Sequence, residues 1–255
     1  MLPEAVSVLT SAILRCQQSG GGFCGLDGEP DLYYSFFARQ SLIALGEEYD
    51  QVALTGWTRS VLRTSSGVDR VCAELILLQE GHRFRPAAFF FLLRSLGGTR
   101  AVDSYKLFLT AFLMDELLPE KLTRALINRA AATTLRERSH TDFNALSTPR
   151  AAVCALLAHM TGDQAMQQRM AELLHQRHQP SGGYASTSGA KADLLSTAVV
   201  LFVSSRFADA VKADRSDRAF IEMCWQDDGL FSAAPDQTSG DLEHTFYALL
   251  ALGCV

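Results

Sequence analysis

The sequence is short of several things. It has no CxxC pair: the six cysteines, at 16, 24, 72, 154, 224 and 254, are scattered along 255 residues. Several sit in apolar helical runs such as AAVCALLAHM, where a free thiol packs as a small hydrophobe, so a reduced, cytoplasmic setting is expected. It has no surplus of positive charge. Lys and Arg total 23 against 28 Asp and Glu, a net of −5, which argues against a general nucleic-acid or anionic-membrane binder. It has no apolar run long enough to span a bilayer. The greasiest stretch, FRPAAFFFLLRSLGG, falls well below the ~20 uninterrupted apolar residues that a span needs, and no transmembrane segment is expected. The opening MLPEAVSVLTSAILRC lacks the basic start and long apolar core of a signal peptide. Strand signals are nearly missing as well, since no stretch alternates apolar and polar residues with β-branched enrichment.

What is present is helical periodicity over most of the chain. With 48% hydrophobic and 20% charged residues, the composition is that of a globular protein with a sizeable core. The pattern predicts helices at 3–17, 31–45, 49–63, 69–79, 86–96, 103–117, 120–135, 149–160, 164–177, 192–205, 207–212, 216–225 and 241–252, and hence an all-α fold.

Between the helices one turn is written four times: QSGGGF at 18–23, QEGHRF at 79–84, QPSGGY at 179–184 and QDDGLF at 226–231. Its aromatic residues, Phe23, Phe84, Tyr184 and Phe231, are separated by 61, 100 and 47 residues. The gap of 100 holds two units of about fifty, one with an eroded turn in RERSHTDFNALSTP. Roughly five helical hairpins follow, and such hairpins stack because one alone cannot bury its own apolar face. YYSFFARQSLIAL, AAFFFLLRSL, LSTAVVLFVSS and HTFYALLAL, which follow the turns, are apolar nearly all round, whereas QAMQQRMAELLHQR carries a polar face. The first set should be inner helices and the last an outer one. An inner ring of parallel helices within an outer ring is an α/α toroid, here a single domain over 1–255.

An aspartate opens the inner helix after three of the turns: Asp31, Asp193 and Asp241. Parallel inner helices would gather these starts at one mouth, where aspartate caps free backbone amides and meets the positive end of the helix dipole. His244 lies one turn inside, beside Asp241. Tyr33, Tyr34, Phe36, Phe37, Phe89, Phe90, Phe91, Phe246 and Tyr247 fall on inner helices, where aromatic walls suit an apolar ligand.

QPSGGYASTSGAKADLLSTAVVLFVSS and RAFIEMCWQDDGLFSAAPDQTSGDLEHTFYALLALG resemble the last two repeats of protein prenyltransferase β subunits, the Rab geranylgeranyltransferase type above all. These belong with squalene and oxidosqualene cyclases in the terpenoid-cyclase toroid superfamily. The resemblance implies a central aromatic funnel that holds an isoprenoid diphosphate, transfer to an acceptor thiol, and a zinc ion held by Asp, Cys and His. By position Asp193 takes the aspartate place, His244, 51 residues later, the histidine place, Asp241 the aspartate three before it, and Thr245 the threonine after it. Asp193, Asp241 and His244 are thus the implied catalytic residues, and Asp193 and His244 the implied zinc ligands. Tyr33, Tyr34, Phe37, Lys191, Phe246 and Tyr247 are the implied substrate contacts.

The match is incomplete. Leu195 stands at the cysteine position and Ser196 where a tyrosine would assist diphosphate departure, while Lys191 alone remains of the expected cations. Cys24, after the first turn, is the one candidate substitute ligand. The D-x-D-D run with which cyclases protonate an alkene is missing, and Asp227–Asp228 belongs to a turn. Three functions stay open: a prenyltransferase-like isoprenoid binder, a non-catalytic toroid binding a protein partner or apolar ligand, and a metal-independent enzyme using acid–base groups at the same mouth. Five hairpins, where the family's ring has six, point to a tightly closed ring or to an edge covered by a homodimer or a helical-repeat partner subunit.

Overall fold

The computed structural model of the chain describes residues 2–79, 143–206 and 213–255. The 79–84 turn beyond Gln79, the helices expected at 86–96, 103–117, 120–135 and 207–212, and Phe89, Phe90 and Phe91 lie outside the described residues. The described helices are α1 (Pro3–Arg15), α2 (Leu32–Leu45), α3 (Gln51–Val61), α4 (Gly67–Gln79), α5 (Thr148–Thr161), α6 (Gln164–Arg177), α7 (Leu194–Arg206), α8 (Arg215–Met223) and α9 (Leu242–Leu252). A short 3-10 turn, Phe143–Ala145, precedes α5. The one described ladder pairs Tyr184–Ala185 with Ala192–Asp193, antiparallel. Among these residues no helix is long and apolar enough to cross a membrane.

The chain divides into two compact units, Met1–Leu93 with Cys224–Leu249, and Arg94–Met223 with Leu250–Val255. In the first, α2 packs on α1 and α4, and α4 also packs on α3. In the second, α5 packs on α6 and on α7. For α2 and α6 the division into all-round apolar and polar-faced helices is the one the sequence pattern predicts, whereas α4, which precedes the 79–84 turn, is buried as an inner helix would be. α6 buries Met170, Leu173, Leu174 and Arg177, one stripe at helical spacing, and leaves Gln164, Gln168, Glu172 and Gln176 exposed. α2 is buried without a break from Ser35 to Leu42, and α4 likewise from Val71 to Leu77. Capping is local: Asp50 accepts from the Ala53 N–H at 2.9 Å and Asp163 from the Met166 N–H at 3.0 Å.

Three of the repeated turns are described, and they share one hydrogen-bond pattern. The Gly21 N–H donates to the Gln18 carbonyl, the Gly182 N–H to Gln179 and the Gly229 N–H to Gln226, while each glutamine N–H is returned to a carbonyl four residues on. The aromatic that ends each turn is a plug: Phe23, Tyr184 and Phe231 are all buried. Their backbone N–H groups donate to Ser35 Oγ, Thr197 Oγ1 and Thr245 Oγ1 at 2.8, 2.9 and 3.0 Å. Each hydroxyl stands four residues after the aspartate that opens its helix, so turn and inner helix are clasped in the same way three times.

The glycines are there because each turn presses on another helix. At Gly182, with φ +90, a Cβ would lie 2.0 Å from the Ser216 carbonyl of α8, and Gly183 abuts the Phe220 ring. Gly21 and Gly22 meet Ala53 and Trp57 of α3 in the same manner. The last turn does not face a following helix. It docks on the first: Gly229 faces Val8 and Ala12, and Arg15 donates to the Asp228 carbonyl at 2.9 Å. The eroded turn sits at Phe143–Ser147, as its polar stretch suggested, with the Arg169 guanidinium 4.3 Å over the Phe143 ring and Arg177 donating to the Asn144 and Leu146 carbonyls.

Candidate functional site

The opening aspartates of α2, α7 and α9 all cap their own helices. Asp31 Oδ1 accepts from the Tyr34 N–H at 3.0 Å, Asp193 Oδ1 from the Ser196 N–H at 2.7 Å, and Asp241 Oδ1 from the His244 N–H at 2.8 Å. Each bond satisfies an amide that the first helical turn leaves unpaired. The second carboxylate oxygen is used differently in two of them. Asp193 Oδ2 accepts from Ser196 Oγ at 2.9 Å, and Asp241 Oδ2 lies 2.7 Å from His244 Nδ1. A carboxylate at that nitrogen assigns the proton to Nδ1, so Nε2 is the basic nitrogen of the neutral ring.

In the first unit the residues two and three places after the aspartates converge. Tyr33 donates its hydroxyl to Glu243 Oε1 at 2.6 Å, linking α2 to α9 across 210 residues. Phe37 sits below, its ring centroid 4.9 Å from that of Tyr33, 5.2 Å from Phe246 and 5.8 Å from Tyr247. Such edge-on and tilted contacts are the favoured geometry for aromatic groups. Tyr33, Tyr34, Phe37, Asp241, His244, Phe246 and Tyr247 therefore form one neighbourhood in this unit, with Tyr34 standing edge-on to Tyr33. Asp193 and Lys191 belong to the second unit, where Asp193 is half-buried and Lys191 exposed.

Glu243 escaped the sequence reading. It sits between Leu242, a core residue, and His244, and nothing in DLEHTF marks it except its place two after an aspartate, the place Leu195 holds in α7. Burial pushes its carboxyl above the ordinary glutamate range, and Asp241 adds to that, while the Tyr33 hydroxyl and His244 pull it back. The surrounding field is negative. Tyr34 is pushed up to about 12, first by burial and then by Asp241, Glu243, Asp31 and Asp27. The Cys72 thiol is held protonated by burial first and then by Asp69 and Asp31.

Zinc finds too few donors in the set the sequence proposes. A catalytic zinc takes three protein ligands and an open position, and Leu195 offers none. Asp193 already receives two hydrogen bonds from Ser196, and Cys24 belongs to no group of three donors among the described residues. Among the described residues one group of three donors lies within mutual ligand reach, His178, Asp214 and Asp217. It includes none of the proposed ligands, and its buried member is a brace. Asp217 accepts from His178 Nε2 at 2.8 Å, from the Gly183 N–H at 3.0 Å and from the Asp214 N–H at 3.1 Å, which ties the 179–184 turn to α8.

The family model of the prenyltransferase alpha-alpha toroid domain matches residues 3–96 and 144–255. No curated protein matches the chain.

Proposed function

Because the chain belongs to the prenyltransferase alpha-alpha toroid domain family and is an all-α toroid, we propose that it is a prenyltransferase-like protein that binds an isoprenoid chain and acts on it by acid–base chemistry instead of through the family's zinc. The isoprenoid lies against Tyr33, Phe37, Phe246 and Tyr247. Its head group meets Glu243 and the Asp241–His244 pair. What supports this is the juxtaposition of an aromatic cluster with a Tyr33–Glu243 hydrogen bond of 2.6 Å and a carboxylate–imidazole contact of 2.7 Å, all within one unit.

The chemistry available to these groups follows from their protonation. Burial raises the Glu243 carboxyl, which in its protonated form can donate a proton to a hydroxyl or to an alkene, and His244 Nε2, oriented by Asp241, can take one up. Asp27, Asp31, Asp241 and Glu243 together repel a diphosphate and favour an uncharged head.

Titration of the protein with farnesol and with farnesyl diphosphate, in chelator-treated buffer, tests the reading. Farnesol should bind the more tightly, and Tyr33→Ala should weaken it about tenfold, a loss of ~1.4 kcal/mol. Failure of both ligands to bind at millimolar concentration removes the isoprenoid reading, and tighter binding of the diphosphate removes the head-group argument. A non-catalytic binder is the second reading, favoured by Leu195 and Ser196 at two of the family's positions. Under it, incubation with farnesol or geranylgeranyl diphosphate leaves both unchanged, with His244→Gln and wild type indistinguishable.

A further inference from the structure

The six cysteines are all free thiols, and Cys72, Cys154 and Cys224 are buried. Cys16 and Cys24 differ from these in being half-buried and in lying opposite each other across a backbone hydrogen bond. Cys16 ends α1 as its capping residue. Cys24 follows Phe23, the plug of the first turn. The chain between them folds back on itself through an antiparallel bridge between Gln17 and Phe23, and the Cys24 N–H donates to the Cys16 carbonyl at 2.8 Å. Residues opposed across such a bond have Cα atoms about 5.5 Å apart, within the roughly 4.4–6.8 Å that a disulfide spans. The Cys16 thiol itself donates to the Ala12 carbonyl at 3.5 Å.

We propose that Cys16 and Cys24 form a reversible disulfide, which makes the first turn a redox-modifiable site. With glutathione disulfide as oxidant, one protein thiolate attacks a glutathione sulfur, the glutathione S–S bond breaks and one glutathione thiolate leaves. The second protein thiol, on losing its proton, displaces the remaining glutathione. Two protein thiols and one glutathione disulfide thus become one protein disulfide and two glutathione thiols. Burial raises the Cys16 thiol, and neighbouring Cys24 raises it further, so Cys16 is the poorer first nucleophile. Cys24 makes the first attack and Cys16 resolves the mixed disulfide.

The bond would sit at a junction. Phe23 and Cys24 lead into the segment that bridges to Pro30 and ends at Asp31, the cap of α2. Arg15, next to Cys16, holds the Asp228 carbonyl of the last turn. Oxidation would therefore stiffen α1 where the first and last repeats meet.

Equilibrate the full-length reduced protein with glutathione disulfide, alkylate it, cleave after Lys and Arg, and weigh the peptides without reduction. Both cysteines fall in the single peptide 16–39, bounded by Arg15 and Arg39. The expected product is that peptide two hydrogen masses lighter and unalkylated, together with a rise in Tm of about 5 °C for a loop of this size. Cys24→Ser and Cys16→Ser should each abolish the mass change and the Tm rise. Full alkylation of both thiols at saturating oxidant, a glutathione adduct on Cys24 that never resolves, or a link from either residue to a different cysteine would overturn the assignment.

Discussion

Replacing Asp217 by alanine should loosen the 179–184 turn from α8, and the size of the loss can be worked out from its three donors. The carboxylate is fully buried. In the variant the Gly183 N–H, itself buried, loses its acceptor with no route to water. His178 keeps about a quarter of its side chain exposed and can be rehydrated, and the Asp214 N–H lies close to the surface. Hydrogen bonds to a charged acceptor are worth about 1.5–3 kcal/mol each, and a stranded buried donor costs about 1–3 kcal/mol. One full loss and two partial ones give about 3–5 kcal/mol. Asp217→Asn keeps one acceptor oxygen and turns an amide N–H₂ toward another donor, so about half of that loss is expected. Urea unfolding followed by circular dichroism reads both variants. The ordering should be wild type, then asparagine, then alanine, with the alanine variant about 10 °C lower in Tm. A loss below about 1 kcal/mol for Asp217→Ala would show that the turn does not depend on this carboxylate, and the brace would be refuted.

Gly182→Ala and Gly189→Ala form a matched pair, since both positions have positive φ, +90 and +78, but only at Gly182 does a Cβ meet backbone, 2.0 Å from the Ser216 carbonyl. Gly189→Ala should cost about 1–2 kcal/mol and Gly182→Ala at least about 3 kcal/mol; equal losses in urea unfolding would contradict the close approach. Glu243→Gln tests the burial of that carboxyl. A raised folded-state pKa means the proton is held more tightly in the folded protein. Stability from this group is therefore full below the ordinary glutamate range and is lost as pH rises through the folded value. The glutamine variant should match wild type at low pH and gain on it as pH rises toward neutrality, and a constant difference across that range would contradict the shift.

Much of the fold was readable because the signal was repeated. A glutamine, glycines and an aromatic at fixed offsets predicted turns, and the three that are described share one hydrogen-bond scheme. Two further signals lay in the same stretches. Ser35, Thr197 and Thr245 each stand four residues after an opening aspartate, and only the comparison of three repeats makes that offset a pattern. The capping aspartates were legible from composition and position alone, since the bond they make is to their own helix. Asp217, His178 and Glu243 were not legible. Their partners come from other elements, as with Tyr33 and Glu243, and no local periodicity encodes which helices become neighbours. Their residue types are also ordinary for the places they occupy: Asp217 lies in the first turn of α8, where any acidic residue suits the dipole.

The docking of the last turn on α1 bears on how the chain acquires its structure. The first helix leaves the ribosome more than two hundred residues ahead of Gly229, which covers Val8 and Ala12. Until the 226–231 turn has been made, that part of α1 has no partner from it, and the contact between them carries the loop-closure entropy of more than two hundred residues. Removal of the last thirty residues should therefore leave α1 the least protected of the described helices in hydrogen exchange, although none of its own residues has been touched.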